Sequence, residues 1–180
     1  MADLIAKSPL FGQGPVRHGA LTLAEGAPQR LTSVMPRDAV GLEGVLKPMG
    51  LRFPAPNRAE GDAEVRLIWT GRNQAFLIGA DPAPLAPFAA LTDQSDGWAR
   101  LVLSGEGALE VLARVTPLDP RDLHPGASLR SSLGHMAAIF LPGPGGVEIM
   151  VFRSMAKTAW HELETALKSL AAREALHADK

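Results

Sequence analysis

From Trp98 to Leu103 the chain alternates. Ala99, Leu101 and Leu103 point one way; Trp98, Arg100 and Val102 point the other. A side-chain period of two predicts a strand with one face in a core. Past Ser104 the period changes. Ala108, Leu109, Val111, Leu112 and Val115 fall at helical spacing, which predicts a short amphipathic helix. Ser104 is placed to cap that helix through its hydroxyl, and Pro117 and Pro120 close the unit. Strand, Ser-Gly turn and helix, from Asp93 to Pro120, form the centre of the chain.

The flanking segments are read by the same two periods. Residues 1–18 form an irregular arm whose Leu10 and Phe11 are too apolar to leave in water, so they are expected to dock on this chain or on a partner. Strands are expected over 20–23 and 31–35, with Gly26-Ala27-Pro28 between them. Pro36-Arg37-Asp38 opens a helix through Leu46, weakened by Gly41 and Gly44 at about 1 kcal/mol each relative to alanine. Residues 47–62, rich in proline and glycine, read as loop. Residues 64–69 alternate, Thr70-Gly71-Arg72-Asn73 turns, and 74–78 returns, a hairpin pattern. Asp81-Pro82 begins a short helix through Leu91, unless Pro84 and Pro87 break it.

After the central unit, 127–133, 135–141 and 147–152 are strand candidates, separated by Gly134 and by Pro142-Gly143-Pro144-Gly145-Gly146. Ser154 then caps the longest helix, to about Leu176. Its apolar stripe is Ala156, Ala159, Trp160, Leu163, Ala166, Leu167 and Leu170, in steps of three and four. Residues 177–180 are expected to fray. The order predicts an α+β fold: antiparallel sheets with helices packed on one face. Residues 19–176 are read as one domain with two pseudo-similar lobes, 19–92 and 93–176. Their likeness is architectural; no residue-level repeat links them.

Composition narrows the function classes. The chain has 180 residues, 46% of them hydrophobic, enough for one packed core. Eighteen basic residues against 19 acidic ones give a formal charge of -1, without the basic excess of a nucleic-acid binder. There is no cysteine, which excludes disulfides and thiolate chemistry and fits a reducing cytoplasm. No apolar run approaches the roughly 20 residues of a membrane helix, and residues 1–10 lack a signal-peptide pattern.

Candidate chemistry is sparse. Ser104-Gly105-Glu106-Gly107 follows a strand and opens a helix, as a phosphate loop does. Position 110 is Glu where a dinucleotide fingerprint needs glycine, and there is no P-loop lysine, so a structural turn is favoured. His161-Glu162 starts a zinc-helix motif, but position 165 is Thr, and no metal site is expected. Asp93 and Asp96 suit a turn better than an acid–base pair. His124 lies in a proline-rich loop and His135 at a strand start; both read as idle or structural. Arg153, Ser154 and Lys157 place cations at the start of the last helix, where an anion or a subunit contact would balance them.

Three blocks carry a family resemblance. The first is Ile68-Trp69-Thr70-Gly71-Arg72-Asn73-Gln74-Ala75-Phe76-Leu77-Ile78. The second is Thr92-Asp93-Gln94-Ser95-Asp96-Gly97-Trp98, continuing to Leu118-Asp119-Pro120. The third joins Leu133-Gly134-His135-Met136-Ala137 to the run from Val151 through Leu163. With the Ser8-Pro9-Leu10 start, they resemble the gamma subunit of heterotetrameric sarcosine oxidase over roughly residues 64 to 167. The resemblance implies a fold like the aminomethyltransferase folate-binding domain of the glycine cleavage system. It also implies a place in a complex with alpha, beta and delta subunits. Such a complex demethylates sarcosine to glycine with FAD, FMN, NAD and tetrahydrofolate, releasing hydrogen peroxide and, without folate, formaldehyde. Those cofactors belong with the alpha and beta subunits, so none is expected in this chain. The Lys-Gly-x-x-x-Gly-Gln type motif of folate-domain relatives is missing.

The expectation is therefore a non-catalytic assembly subunit, with no catalytic residue in this chain and its cofactor-binding residues unassigned. Its expected partner contacts are Leu10, Phe11, Arg153 and Lys157, together with the apolar segment 85–91. The alternative is a stand-alone folate or anionic-ligand module. Its cleft would be lined by Trp69 or Trp98 and closed by Arg100 or Arg130.

Overall fold

The structure, a computed structural model, describes residues 5–143 and 145–178. In chain order the strands are β1 (Val16–His18), β2 (Leu21–Glu25), β3 (Leu31–Pro36), β4 (Ala59–Gly61), β5 (Arg66–Gly71), β6 (Gln74–Ile78), β7 (Ala89–Asp93), β8 (Trp98–Ser104), β9 (Leu129–Leu133), β10 (Met136–Gly143) and β11 (Gly146–Phe152). The helices are α1 (Ala39–Leu46), α2 (Ala108–Leu112) and α3 (Ala156–Ala178). One sheet has the order β1-β2-β8-β11-β10-β9, the other β4-β5-β6-β3-β7. All pairings between these strands are antiparallel. The chain is α+β, as expected.

The two sheets face each other, and each carries helices on its other side. Leu31, Ile68, Phe76 and Ile78 of the second sheet meet Trp98, Ile139, Leu141 and Met150 of the first. Behind the first sheet, Ala99, Leu101, Leu103, Val147, Ile149 and Val151 pack under α2 and α3. Behind the second, Val34, Leu67, Ala75 and Leu77 pack under Leu42 and Leu46 of α1. The alternation in β5 and β8 therefore separates two apolar layers. Leu67 faces α1, whereas Ile68 faces the other sheet. The stripe of α3 is buried at every expected position, from Ala156 to Leu170, with Trp160 4% exposed.

Several expectations are corrected. Ser104 does not cap α2; it is still paired in β8, opposite Thr22 and Gly146. Gly107 occupies the cap position instead, without a side-chain bond. Gly105 has φ +108, and a Cβ there would lie 2.1 Å from the carbonyl oxygen of Ala20, so only glycine fits the turn. Leu109 is 44% exposed because the short α2 turns Ala108, Val111 and Leu112 inward. The helix expected to run to Leu91 is a 3-10 turn at Ala83–Leu85 followed by β7. Pro84 and Pro87 cannot donate helical hydrogen bonds, and Ala89 to Asp93 satisfies its backbone on β3 instead. The expected loop 47–62 contains a 3-10 turn at Lys47–Met49 and the short β4, which pairs with β5.

Ser154 lies inside a 3-10 turn, Arg153–Met155, ahead of α3. α1 opens at Ala39, where the Asp38 carboxylate accepts from the N–H groups of Val40 and Gly41 at 3.1 Å each. The arm ends in β1, and β2 pairs with β8. The sheets thus divide the chain differently from lobes of 19–92 and 93–176, because residues 16–25 join the sheet of the later half. α3 continues to Ala178, and the rest of the expected frayed tail, 179–180, lies outside the described residues.

Candidate functional site

Strand β11 puts Glu148 on the side facing the second sheet, among apolar neighbours. A charge there needs partners, because desolvation of a lone carboxylate is prohibitive. Two arginines supply them. Arg100, on the adjacent β8, donates from Nε to Oε1 at 2.8 Å and from Nη2 to Oε2 at 2.9 Å. Arg66 reaches across from β5 of the other sheet, Nη2 lying 2.9 and 2.7 Å from the two oxygens. The side chains of Glu148, Arg66 and Arg100 are only 9%, 14% and 16% exposed. Burial alone pushes the Glu148 carboxyl up, but the hydrogen bonds from Arg100 and the charges of Arg100 and Arg66 outweigh it and hold the carboxyl below its ordinary value. Glu148 is therefore a fixed anion that ties the sheets together, with both oxygens already engaged. The sequence signal was a glutamate between Val147 and Ile149; nothing in the sequence shows its partners.

The arm is fastened at two points. Ser8 Oγ donates to Glu25 Oε2 at 2.8 Å and the Leu10 N–H to Oε1 at 3.1 Å. Arg153 Nη2 donates to the carbonyl of Lys7, and its Nη1 lies 4.0 Å from Asp96. Leu10 is 2% exposed in the core behind the first sheet. Phe11, beside it, is 66% exposed, with Lys7 Nζ 4.7 Å from the ring centroid. Next to Arg153, Phe152 and Met155 are also exposed. Arm and 3-10 turn are joined by the Arg153–Lys7 bond, and each exposes apolar side chains, with Lys157 exposed one turn on. The 85–91 segment stands apart: Leu85 and Ala89 are buried under the second sheet. Beneath the arm lies a cleft of about 220 Å³, lined in part by Glu25, Gln29, Trp98, Arg100 and Met150.

Of the residues proposed for a ligand cleft, Trp98 is brought together with Arg100 in that cleft and with Arg130 at a second opening. Trp69 lines neither. Arg100 is committed to Glu148 and, through Nη1, to the carbonyl of Ala27 at 2.7 Å. Asp93 accepts from the hydroxyl and N–H of Ser95 at 2.6 and 2.9 Å, bonds that lower its carboxyl; it is a turn residue. His124 is exposed beside Arg58. His135 is exposed in the β9–β10 turn, where Gly134 (φ +54) rests against Glu162 of α3: a Cβ there would lie 2.2 Å from Oε2. His161 is exposed on α3. Among the described residues, no three His, Cys, Asp or Glu side chains cluster as metal ligands, and no helix is long and apolar enough to cross a membrane.

No protein-family model and no curated protein matches the sequence. Among solved structures the chain is similar to a chain of the heterotetrameric sarcosine oxidase from Corynebacterium sp. U-96, solved in complex with pyrrole 2-carboxylate. The TM-score is 0.78 at 21% identity, over 92% of this chain and 96% of that one. The two chains share a fold over that range.

Proposed function

We propose that this chain is the gamma subunit of a heterotetrameric sarcosine oxidase and that its contribution is assembly. The observation that carries the reading is the likeness in fold to a chain of such a complex, with 92% and 96% of the two chains covered. The three sequence blocks point to the same family independently of the structure. The chemistry of the interior agrees: the most buried charges, two arginines on the one Glu148 carboxylate, pair with one another and hold the sheets together. The exposed Phe11, Phe152 and Met155, with the cations Arg153 and Lys157, suit a subunit contact that mixes apolar and charged groups.

The partners are then the alpha, beta and delta subunits in the cytoplasm, with FAD, FMN, NAD and tetrahydrofolate held by alpha and beta. The oxidation of sarcosine takes place in those chains. Co-expression with the other three subunits tests the proposal. A stable four-chain complex is expected, with an interface of about 1,000 Å² or more on this chain and its neighbour. Turnover of sarcosine by the purified single chain would refute it. Heat on titration with tetrahydrofolate would favour the stand-alone folate module, for which Arg100 is already occupied.

A further inference from the structure

A sheet ends in strands whose outward N–H and C=O groups meet no neighbour, and natural sheets cover or blunt such edges. The end strands here are β1, β9, β4 and β7. The β4 and β9 ends are tied to each other. The Ala59 N–H donates to the Gly126 carbonyl at 2.8 Å and the Ser128 N–H to that of Asn57 at 3.0 Å. The side chains of Ser128 and Arg130 also reach the Trp69 and Thr70 carbonyls of β5. β1 carries Arg17 and His18, the latter 3.8 Å from Glu164 of α3. β7 is protected by none of these means: Ala89-Ala90-Leu91-Thr92-Asp93 has no lysine and no proline, and its register with β3 runs without a bulge.

The register shows which groups of β7 face outward. The Arg37 N–H donates to the Phe88 carbonyl and the Gln94 N–H to the Leu31 carbonyl, both at 2.8 Å. Bonded pairs alternate along an antiparallel ladder, so between these two bonds Ala90 and Thr92 bond to β3. The backbone groups of Ala89, Leu91 and Asp93 point away. Arg37 Nη2 takes the Ala89 carbonyl at 2.9 Å. The N–H and C=O groups of Leu91 and Asp93 have no partner among the described residues. Ala90, Thr92 and Asp93 are exposed, and none is bulky enough to shield the edge. Asp93 adds a charge at the end of this run. Its Oδ1 accepts from the N–H and hydroxyl of Ser95, while Oδ2 has no partner among the described residues.

We infer that β7 is a docking edge, to which another subunit adds an extended strand that carries a basic side chain beside Asp93. Main-chain bonds at Leu91 and Asp93 supply the pairing, as in other cases of strand addition, and the Asp93 carboxylate selects the occupant through a cross-strand charge pair. β7 contains no cation of its own, so a second copy of this chain matches the edge less well than a foreign strand. The inference rests on the reading that the chain assembles with other subunits, and it adds to that reading a second contact, made by backbone.

The test uses the full chain, alone and co-expressed with candidate alpha, beta and delta subunits. Hydrogen exchange followed by mass spectrometry reads the peptide that contains β7. In the complex the amides of Leu91 and Asp93 should exchange at least about tenfold more slowly than in the chain alone. Leu91→Pro removes an outward N–H on an edge strand, where proline is tolerated; it should weaken assembly about tenfold or more while the chain alone keeps its circular dichroism spectrum. Leu91→Val keeps the N–H and should assemble as the wild type does. If Leu91→Pro fails to fold, the exchange of the wild type decides. A complex whose β7 amides exchange as fast as in the chain alone overturns the inference and leaves the assembly reading standing. So does a folded Leu91→Pro that assembles with wild-type affinity, or a dimer of the chain alone in which these amides are already slow. Absence of any complex overturns both.

Discussion

Replacing Glu148 by glutamine removes one negative charge and almost no volume. Four short hydrogen bonds converge on the carboxylate, two from each arginine, between 2.7 and 2.9 Å. In Glu148→Gln one oxygen becomes an NH₂ group facing guanidinium N–H groups, and two arginines 14% and 16% exposed are left without an anion. Breaking a buried ion pair from one side costs about 3–5 kcal/mol. For a chain of this size that lowers the melting temperature by about 6–20 °C. Urea unfolding followed by tryptophan fluorescence and circular dichroism measures the loss. The combined replacement Arg66→Met, Glu148→Leu and Arg100→Met should recover most of it, because well-packed apolar groups can substitute for a buried ionic cluster. A loss below about 1 kcal/mol for Glu148→Gln would mean that the cluster behaves as a solvated surface pair, and the staple between the sheets would be wrong.

The same cluster predicts a pH dependence. The Glu148 carboxyl is held below its ordinary value of 4.5 in the folded chain, so its contribution is fully present above that value and is lost as pH falls through the lower folded one. Acid titration of stability should therefore be shallower below pH 4.5 in the apolar triple replacement than in the wild type. Trp160→Ala should cost about 3–5 kcal/mol in urea, since Trp160 is 4% exposed under the first sheet; under 1 kcal/mol would misplace α3. Gly105→Ala should destabilise clearly, as its Cβ would collide with the Ala20 carbonyl at 2.1 Å, whereas Leu109→Gln, on the exposed side of α2, should stay within about 0.5 kcal/mol of wild type.

Elements whose pattern and burial coincide were legible in the sequence. α3 shows its stripe because one side packs on a sheet and the other meets water, and β8 because its two faces differ. β7 was hidden: it is an edge strand with one buried residue, Ala89, and two prolines shortly before it. β4 was hidden by its length of three residues. The joining of β2 to β8 depends on a pairing between distant segments, which local periodicity does not record.

The site was less legible for the same reason. Arg66 and Arg100 lie 82 and 48 residues from Glu148, and only the misfit of a glutamate in an apolar strand hinted at them. Arg153 was singled out for its charge, and the structure gives it a bond within its own chain, to the arm at Lys7. Leu10 and Phe11, neighbours in sequence, have opposite fates: one enters the core and the other stays on the surface. No periodicity in a turn separates the two.

The most direct measurement is the native mass of the complex formed when this chain is co-expressed with candidate alpha, beta and delta subunits, together with the activity of each fraction. The proposal predicts one copy of this chain in a flavin-containing four-chain particle that oxidises sarcosine, and no oxidation by the chain alone. A chain that stays apart from the other three, or that oxidises sarcosine by itself, would contradict it.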